Sequence, residues 1–144
     1  MAILLAILVG ACRDAVAAVS IQYPEGKQAE VAAARRDKIT KLTIELLRSA
    51  TYEVSPTIAR EQFDQALRQP LLYVRFTPAQ RLPFRFGTDK SPTERTSDIG
   101  ELIVPLSTGR WPDFIFVREG GRLRAFSKYD PRVAQLWRDA LKEI

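Results

Sequence analysis

The amino-acid sequence predicts an α+β fold, in which an antiparallel sheet of about five strands follows two helices and carries a C-terminal helix packed on it. Three observations support this prediction. Hydrophobic residues recur at helical spacing in residues 27–67, they alternate with a period of two in residues 71–129, and helical spacing returns in residues 131–144. Helices at both ends of a run of antiparallel hairpins define the α+β class.

The helices are predicted from their apolar stripes and their caps. The first is expected over residues 27–50, after a Tyr-Pro-Glu-Gly turn. The second has Ser55 as its N-cap and Pro56 in the first helical position, and the C-terminal helix has Asp130 as its cap. Between the first two helices, residues 50–54 alternate and are expected to form a short strand or an extended connection.

Five runs of alternating or aromatic residues are predicted to be strands. They span residues 71–78, 81–86, 101–107, 113–120 and 121–129. The pair Gly120-Gly121 predicts a two-residue hairpin turn, because glycine supplies the positive φ that such turns require. Counting outward from this turn places Glu119 opposite Arg122, and opposite charges across a pair support the register.

Two further features of the sheet follow from the same pattern. Counting further along the hairpin places Ile115 opposite Phe126 on one face of the sheet. The opposite face of the hairpin, which carries Phe116 and Ala125, is expected to pack against the core. A second hairpin is predicted between the first two runs, through the turn Pro78-Ala79-Gln80. The polar residues that follow, as far as the third run, are expected to form a loop.

The N-terminal residues have the composition of a targeting segment. Residues 2–9 are uniformly apolar, and small residues then lead to the only cysteine, Cys12. The stretch Val9-Gly10-Ala11-Cys12 resembles the lipobox of bacterial lipoproteins. This resemblance implies that the Cys12 thiol receives a diacylglyceryl group and becomes the N-terminus of a membrane-tethered, extracytoplasmic protein. We therefore divide the chain into a targeting or tethering segment, residues 1–22, and a single α+β domain, residues 23–144.

Other interpretations of the N-terminal residues stay open. Ala15-Val16-Ala17 is a second candidate cleavage site for a signal peptidase. Residues 2–19 could instead form a helix buried in the domain, with Cys12 as a small packing residue. A membrane-spanning helix is disfavoured, because Arg13 and Asp14 would lie in the middle of the bilayer.

Composition excludes several classes of enzyme. The sequence has no His and one Cys, so Ser-His-Asp triads, Cys-His pairs, His-containing zinc sites and intramolecular disulfides cannot form. Glu61 and Asp64 are neighbours on the second helix and could hold a metal or share a proton, although surface carboxylates at this spacing are common. We therefore expect no catalytic residues, no metal and no cofactor, and an enzyme that uses carboxylates ranks third among the possible functions.

One candidate binding surface is cationic. The chain carries 22 Lys and Arg against 17 Asp and Glu, a net charge of +5. If Tyr73, Arg75, Arg81 and Arg85 share one face of the sheet, they form an aromatic and guanidinium surface of the kind that binds phosphates or stacks on bases. The alternative is an ordinary solvent-exposed sheet face.

A second candidate surface is the loop that contains Arg110 and Trp111. Trp and Arg together are typical of interface hot spots. Trp111 folded back against the core would be an equally ordinary use of a large aromatic residue.

These patterns predict a small, non-catalytic, extracytoplasmic module, tethered to a membrane or secreted, that binds a protein or an envelope component. The alternative is a cytoplasmic basic domain that binds nucleic acid or an acidic protein through the Arg-rich hairpin.

Overall fold

The computed structural model describes residues 16–86, 93–106 and 114–142, which form one antiparallel sheet and three helices. The helices are α1 (Ala33–Ser49), α2 (Pro56–Ala66) and α3 (Pro131–Lys142). The strands are β1 (Val16–Gln22), β2 (Gln28–Glu30), β3 (Tyr52–Glu53), β4 (Leu71–Phe86), β5 (Thr93–Pro105), β6 (Ile115–Glu119) and β7 (Arg122–Ser127). The predicted α+β class is confirmed. The sheet has seven strands in the order β2-β1-β4-β5-β6-β7-β3, with short edge strands on both sides.

Strand β1 belongs to the sheet, although its residues lie within the N-terminal segment, residues 1–22, that the sequence predicts. It pairs with β4 along its whole length, from Val16 opposite Thr77 to Gln22 opposite Leu71, and the Val19 side chain is buried. Residues 16–19 are all Ala and Val, a composition that also fits the targeting segment that the sequence predicts, so local composition does not separate the two. Residues 16–19 are therefore in a strand and not in a helix.

The second predicted hairpin is wrong, because Pro78-Ala79-Gln80 lies inside the single long strand β4. The pairing of β4 with β5 is regular as far as Arg75, which lies opposite Glu101. It resumes at Gln80, which lies opposite Ile99. Four residues of β4 thus face one residue of β5, which is a large β-bulge. Beyond the bulge, residues 80–86 and 93–99 form a two-stranded arm. Part of the predicted loop is consequently strand.

The arm folds back over the sheet. Phe84 on the arm contacts Phe126 on β7 edge to face, with 5.2 Å between the ring centres. In a flat sheet β4 and β7 would lie about 14 Å apart, at about 4.8 Å per strand. The contact therefore requires a bend at the bulge, where extra residues on one strand increase curvature.

Both faces of the sheet are covered. Helices α1 and α3 and the arm cover one face, over a core that includes Leu46, Phe84, Phe126 and Trp137. Helix α2 covers part of the other face, where its Phe63 packs in a cluster with Tyr73, Ile103, Phe116 and Ala125 of the sheet.

The hairpin at Gly120-Gly121 has the predicted register, with Glu119 opposite Arg122 and Ile115 opposite Phe126. Gly120 has φ = 57°, in the left-handed region that the turn requires. Only one face of this hairpin was expected to be buried, yet Ile115 and Phe126 on the other face are buried too. The arm and the helices cover that second face.

The predicted caps agree with the structure. The Ser55 hydroxyl accepts a hydrogen bond from the Ile58 amide at 3.3 Å, and the Asp130 carboxylate accepts one from the Arg132 amide at 2.9 Å. A buried polar contact joins α1 to α3, where the Trp137 indole donates to the Thr43 hydroxyl at 3.0 Å. The Thr43 hydroxyl donates in turn to the Ile39 carbonyl, so both polar groups are satisfied in the core.

Candidate binding cleft

A cleft of about 880 Å³ lies between α2 and the β6–β7 hairpin, on the face of the sheet opposite α1 and α3. One wall is α2, which begins where Ser55 caps it and Pro56 fixes the first turn. The other wall is the hairpin. The lining includes Glu53, Val54, Arg60, Glu61, Asp64, Arg118, Arg122, Leu123 and Arg124.

The cleft contains an open strand edge. Strand β3 pairs with the end of β7, and the last backbone contact between them is the Val54 amide donating to the Ala125 carbonyl at 3.1 Å. Backbone groups of alternate residues point to the same side of a strand, so those of Leu123 point to this side as well. No residue that the structure describes forms a backbone hydrogen bond with Leu123 on this side. An unpaired edge of this kind accepts an extended peptide as an added strand.

Two arginines form the fixed cationic part of the cleft. Arg124 Nη1 lies 2.8 Å from Glu53 Oε2, and Arg124 Nε lies 3.4 Å from Glu119 Oε1. Arg118 Nε lies 3.1 Å from Glu101 Oε1, while its guanidinium lies 5.3 Å from the centre of the Phe63 ring. These ion pairs hold the two side chains along the hairpin wall.

Other charged groups in the cleft have no such anchor. Within the described part of the chain, Arg60, Glu61, Asp64 and Arg122 have no ion-pair partner within 4.0 Å. Three of these four side chains lie on α2, facing the open edge of β7. The cleft thus offers unpaired main-chain groups of Leu123 on one wall and, on the other, charges of both signs that have no ion-pair partner among the described residues.

The predicted carboxylate pair lies in this cleft. Glu61 and Asp64 are both exposed on α2. Across the residues that the structure describes, no three acidic, His or Cys side chains come together as a metal site. The two carboxylates are therefore placed to contact a ligand in the cleft.

The structure does not bring Tyr73, Arg75, Arg81 and Arg85 together on one flat face. Tyr73 is only 7% exposed, and the Arg75 guanidinium lies over its ring at 5.0 Å from the centre. Arg75 is held there by Glu101, with 2.5 Å between Nε and Oε2. Arg81 and Arg85 lie beyond the bulge on the outside of the arm, because their neighbours on β4 point into the core. In the register, each stands opposite an acidic residue of β5.

The Tyr73 hydroxyl stays protonated at neutral pH. Burial raises the pKa of Tyr73 above its ordinary value, and the negative charge of Glu101 raises it further. Arg118 and Arg75 oppose this increase in the pKa. Tyr73 therefore acts as a packing residue beneath Arg75 and not as a base.

Three of the predicted site residues, Cys12, Arg110 and Trp111, lie outside the described residues. Sequence reasoning missed the open edge at Leu123. A signal for it was present, since a helix that begins at Pro56 leaves room for only a very short strand before it.

The chain matches no family model, no curated protein and no solved structure. None of the described helices is long and apolar enough to cross a bilayer. Function is therefore inferred from the geometry of the described residues.

Proposed function

We propose that the protein is a small, non-catalytic, extracytoplasmic module that binds an extended segment of a partner protein and is tethered to a membrane through Cys12. The observation that carries the binding role is the open edge of β7 at Leu123 inside the cleft. A partner strand paired with this edge would form main-chain hydrogen bonds, and its side chains would meet the unanchored charges on α2.

The position of β1 supports the tether. The described part of the sheet begins at Val16, so cleavage in front of Cys12 would leave every described strand intact. Cleavage at the alternative site, after Ala17, would remove the β1 residues that pair with Thr77 and Phe76. Of the two candidate cleavage sites, the one at Cys12 is therefore compatible with the described sheet.

The cytoplasmic alternative depends on the arm. Arg81 and Arg85 are exposed there, but Asp98 and Glu94 stand opposite them in the register and reduce the positive field. The Tyr73 ring, which would have to stack on a base, lies beneath Arg75. We therefore place this function second.

Replacing Leu123 with proline should weaken the binding of extended peptides without unfolding the protein. The Leu123 amide points to the open edge and donates no backbone hydrogen bond to a described residue. Proline, which lacks this amide, is tolerated at such positions of edge strands. Peptides would be selected on the wild-type protein from a displayed random library, and their affinity for the variant measured. We expect a loss of more than about tenfold, the equivalent of about 1.4 kcal/mol.

The matched control is Leu123→Ala, which shortens the side chain but keeps the amide. This variant should retain most of the affinity, and circular dichroism should show that both variants are folded. Equal affinity of the selected peptides for the wild type and for Leu123→Pro would contradict strand addition at this edge.

A further inference from the structure

The net charge of the protein is concentrated in one layer. Helices α1 and α3 together contain eight cations and three anions, a net charge of +5, and the rest of the chain contains fourteen of each. The cations are Arg35, Arg36, Lys38, Lys41, Arg48, Arg132, Arg138 and Lys142, and the anions are Asp37, Glu45 and Asp139. All of the excess positive charge of the molecule therefore lies on the two helices that cover one face of the sheet.

This charge faces outward. Lys38, Lys41, Arg48 and Arg132 are exposed, while the opposite sides of both helices pack on the core. Two of the three anions are paired within the layer, where Arg48 contacts Glu45 at 3.2 Å and Lys142 contacts Asp139 at 3.8 Å. The three acidic residues are exposed as well, but the layer keeps a net charge of +5 and is therefore a cationic surface.

An apolar notch of about 340 Å³ lies in this surface, between α1 and α3. It is lined by Leu42, Leu136 and Ala140 together with Lys38, Lys41 and Asp139. Leu136 is 59% exposed, which is the highest value for any large hydrophobic residue in the described part of the chain. A leucine exposed among lysines combines an apolar group with cations, as the contact surfaces of proteins that lie at a membrane interface do.

We propose that the α1–α3 layer rests on a bilayer that contains anionic phospholipids. The lysines and arginines would attract the phosphate headgroups, and Leu136 would enter the boundary between headgroups and acyl chains. A nucleic acid fits this surface less well, because Trp137, the aromatic residue of these helices, is buried and offers no ring for stacking on bases.

The position of this surface determines which way the cleft would face on a bilayer. Helix α2 and the cleft are on the opposite face of the sheet from α1 and α3. A protein that lies on the bilayer through its α1–α3 layer would therefore present the cleft away from the membrane. This inference goes beyond the proposed function, since it names a second surface with a different ligand.

The full chain should prefer anionic vesicles. Its cosedimentation would be measured with vesicles of phosphatidylcholine and with vesicles containing equal parts of phosphatidylcholine and phosphatidylglycerol. The apolar N-terminal residues should add equally to the partitioning into both kinds of vesicle. The ratio of the two partition coefficients therefore measures the contribution of the cationic surface. We expect a ratio above about ten, since each Lys or Arg at the surface contributes about fivefold. The ratio should fall as salt is raised.

Two double variants test which surface is responsible. Lys38→Glu with Lys41→Glu should bring the ratio close to one. Arg81→Glu with Arg85→Glu makes the same change in net charge on the arm and should leave most of the preference intact. Leu136→Ser should lower partitioning into anionic vesicles several-fold, with folding of every variant verified by circular dichroism.

Three results would overturn the proposal: no preference of the wild type for anionic vesicles, equal losses in the two double variants, or no effect of Leu136→Ser. Failure of the proposed function is a separate result. An unmodified Cys12 would remove the tether, and unchanged peptide binding by Leu123→Pro would remove the strand-addition site. Neither outcome would alter the ratio between vesicles.

Discussion

Replacing Phe84 with alanine is expected to lower the free energy of unfolding by about 3–5 kcal/mol, the range found for large aromatic residues removed from a core. Phe84 is 1% exposed and contacts Phe126 edge to face across the folded-back arm. Removing the ring leaves a cavity between the arm and the sheet, because the surrounding strands are held by their own pairing. Urea unfolding followed by circular dichroism measures the change.

The neighbouring residue provides a matched control for this prediction. Arg85 is exposed on the other side of the same strand, so Arg85→Ala should leave the free energy of unfolding close to its wild-type value. If Phe84→Ala proved as mild as Arg85→Ala, the arm would not be packed on the core, and the bend at the bulge would be wrong.

A chain that begins at Tyr23 is expected to lose cooperative folding, whereas a chain that begins at Val16 is expected to keep it. The shorter chain lacks β1, so the β4 edge from Leu71 to Thr77 loses its partner strand and the buried side chain of Val19 is lost. Burial of one such side chain contributes about 1.5–3 kcal/mol, and a domain is stable by only about 5–15 kcal/mol in total.

Thermal unfolding of the two truncated chains measures this difference. The chain that begins at Val16 should unfold in a single transition near the midpoint of the full chain, and the shorter chain should show none or precipitate. A single transition at the same midpoint for the chain that begins at Tyr23 would mean that β1 is dispensable. The domain would then begin at Tyr23, the boundary that the sequence predicts.

Features encoded by local residues were predictable from the sequence. The Gly120-Gly121 turn determined the register of its hairpin, because the turn chemistry acts on adjacent residues. The caps at Ser55 and Asp130 were found for the same reason. Each of these features needs only a few neighbouring side chains, and no other part of the fold alters them.

Features that depend on distant pairing were not predictable. Pro78-Ala79-Gln80 has the composition of a turn, yet β4 continues through it because β5 pairs with the strand on both sides of the bulge. The Ala and Val residues at the start of β1 fit a targeting segment equally well, and only their pairing with β4 identifies them as a strand. In both cases tertiary contacts decided between two structures that the local sequence allows.

The candidate site was predictable in part. Alternation correctly placed Tyr73 and Arg75 on one face, but helix α2 and the Arg75 side chain cover the Tyr73 ring. Glu61 and Asp64 were recognised as neighbours, while the cleft beside them depends on the strand order that leaves Leu123 at an open edge. Strand order arises from long-range pairing, which spacing along the sequence does not encode.

The intact mass of the protein recovered from the membrane fraction of an expressing bacterium tests the tethered module most directly. We expect a chain that begins at Cys12 and carries a diacylglyceryl group, with the sheet from Val16 onward complete. Cys12→Ala should abolish the modification, and Ala15→Leu, which blocks the competing site, should leave it unchanged. An unmodified cytosolic chain that begins at Met1 or Ala2, or a mature chain that begins at Ala18, would contradict the tether.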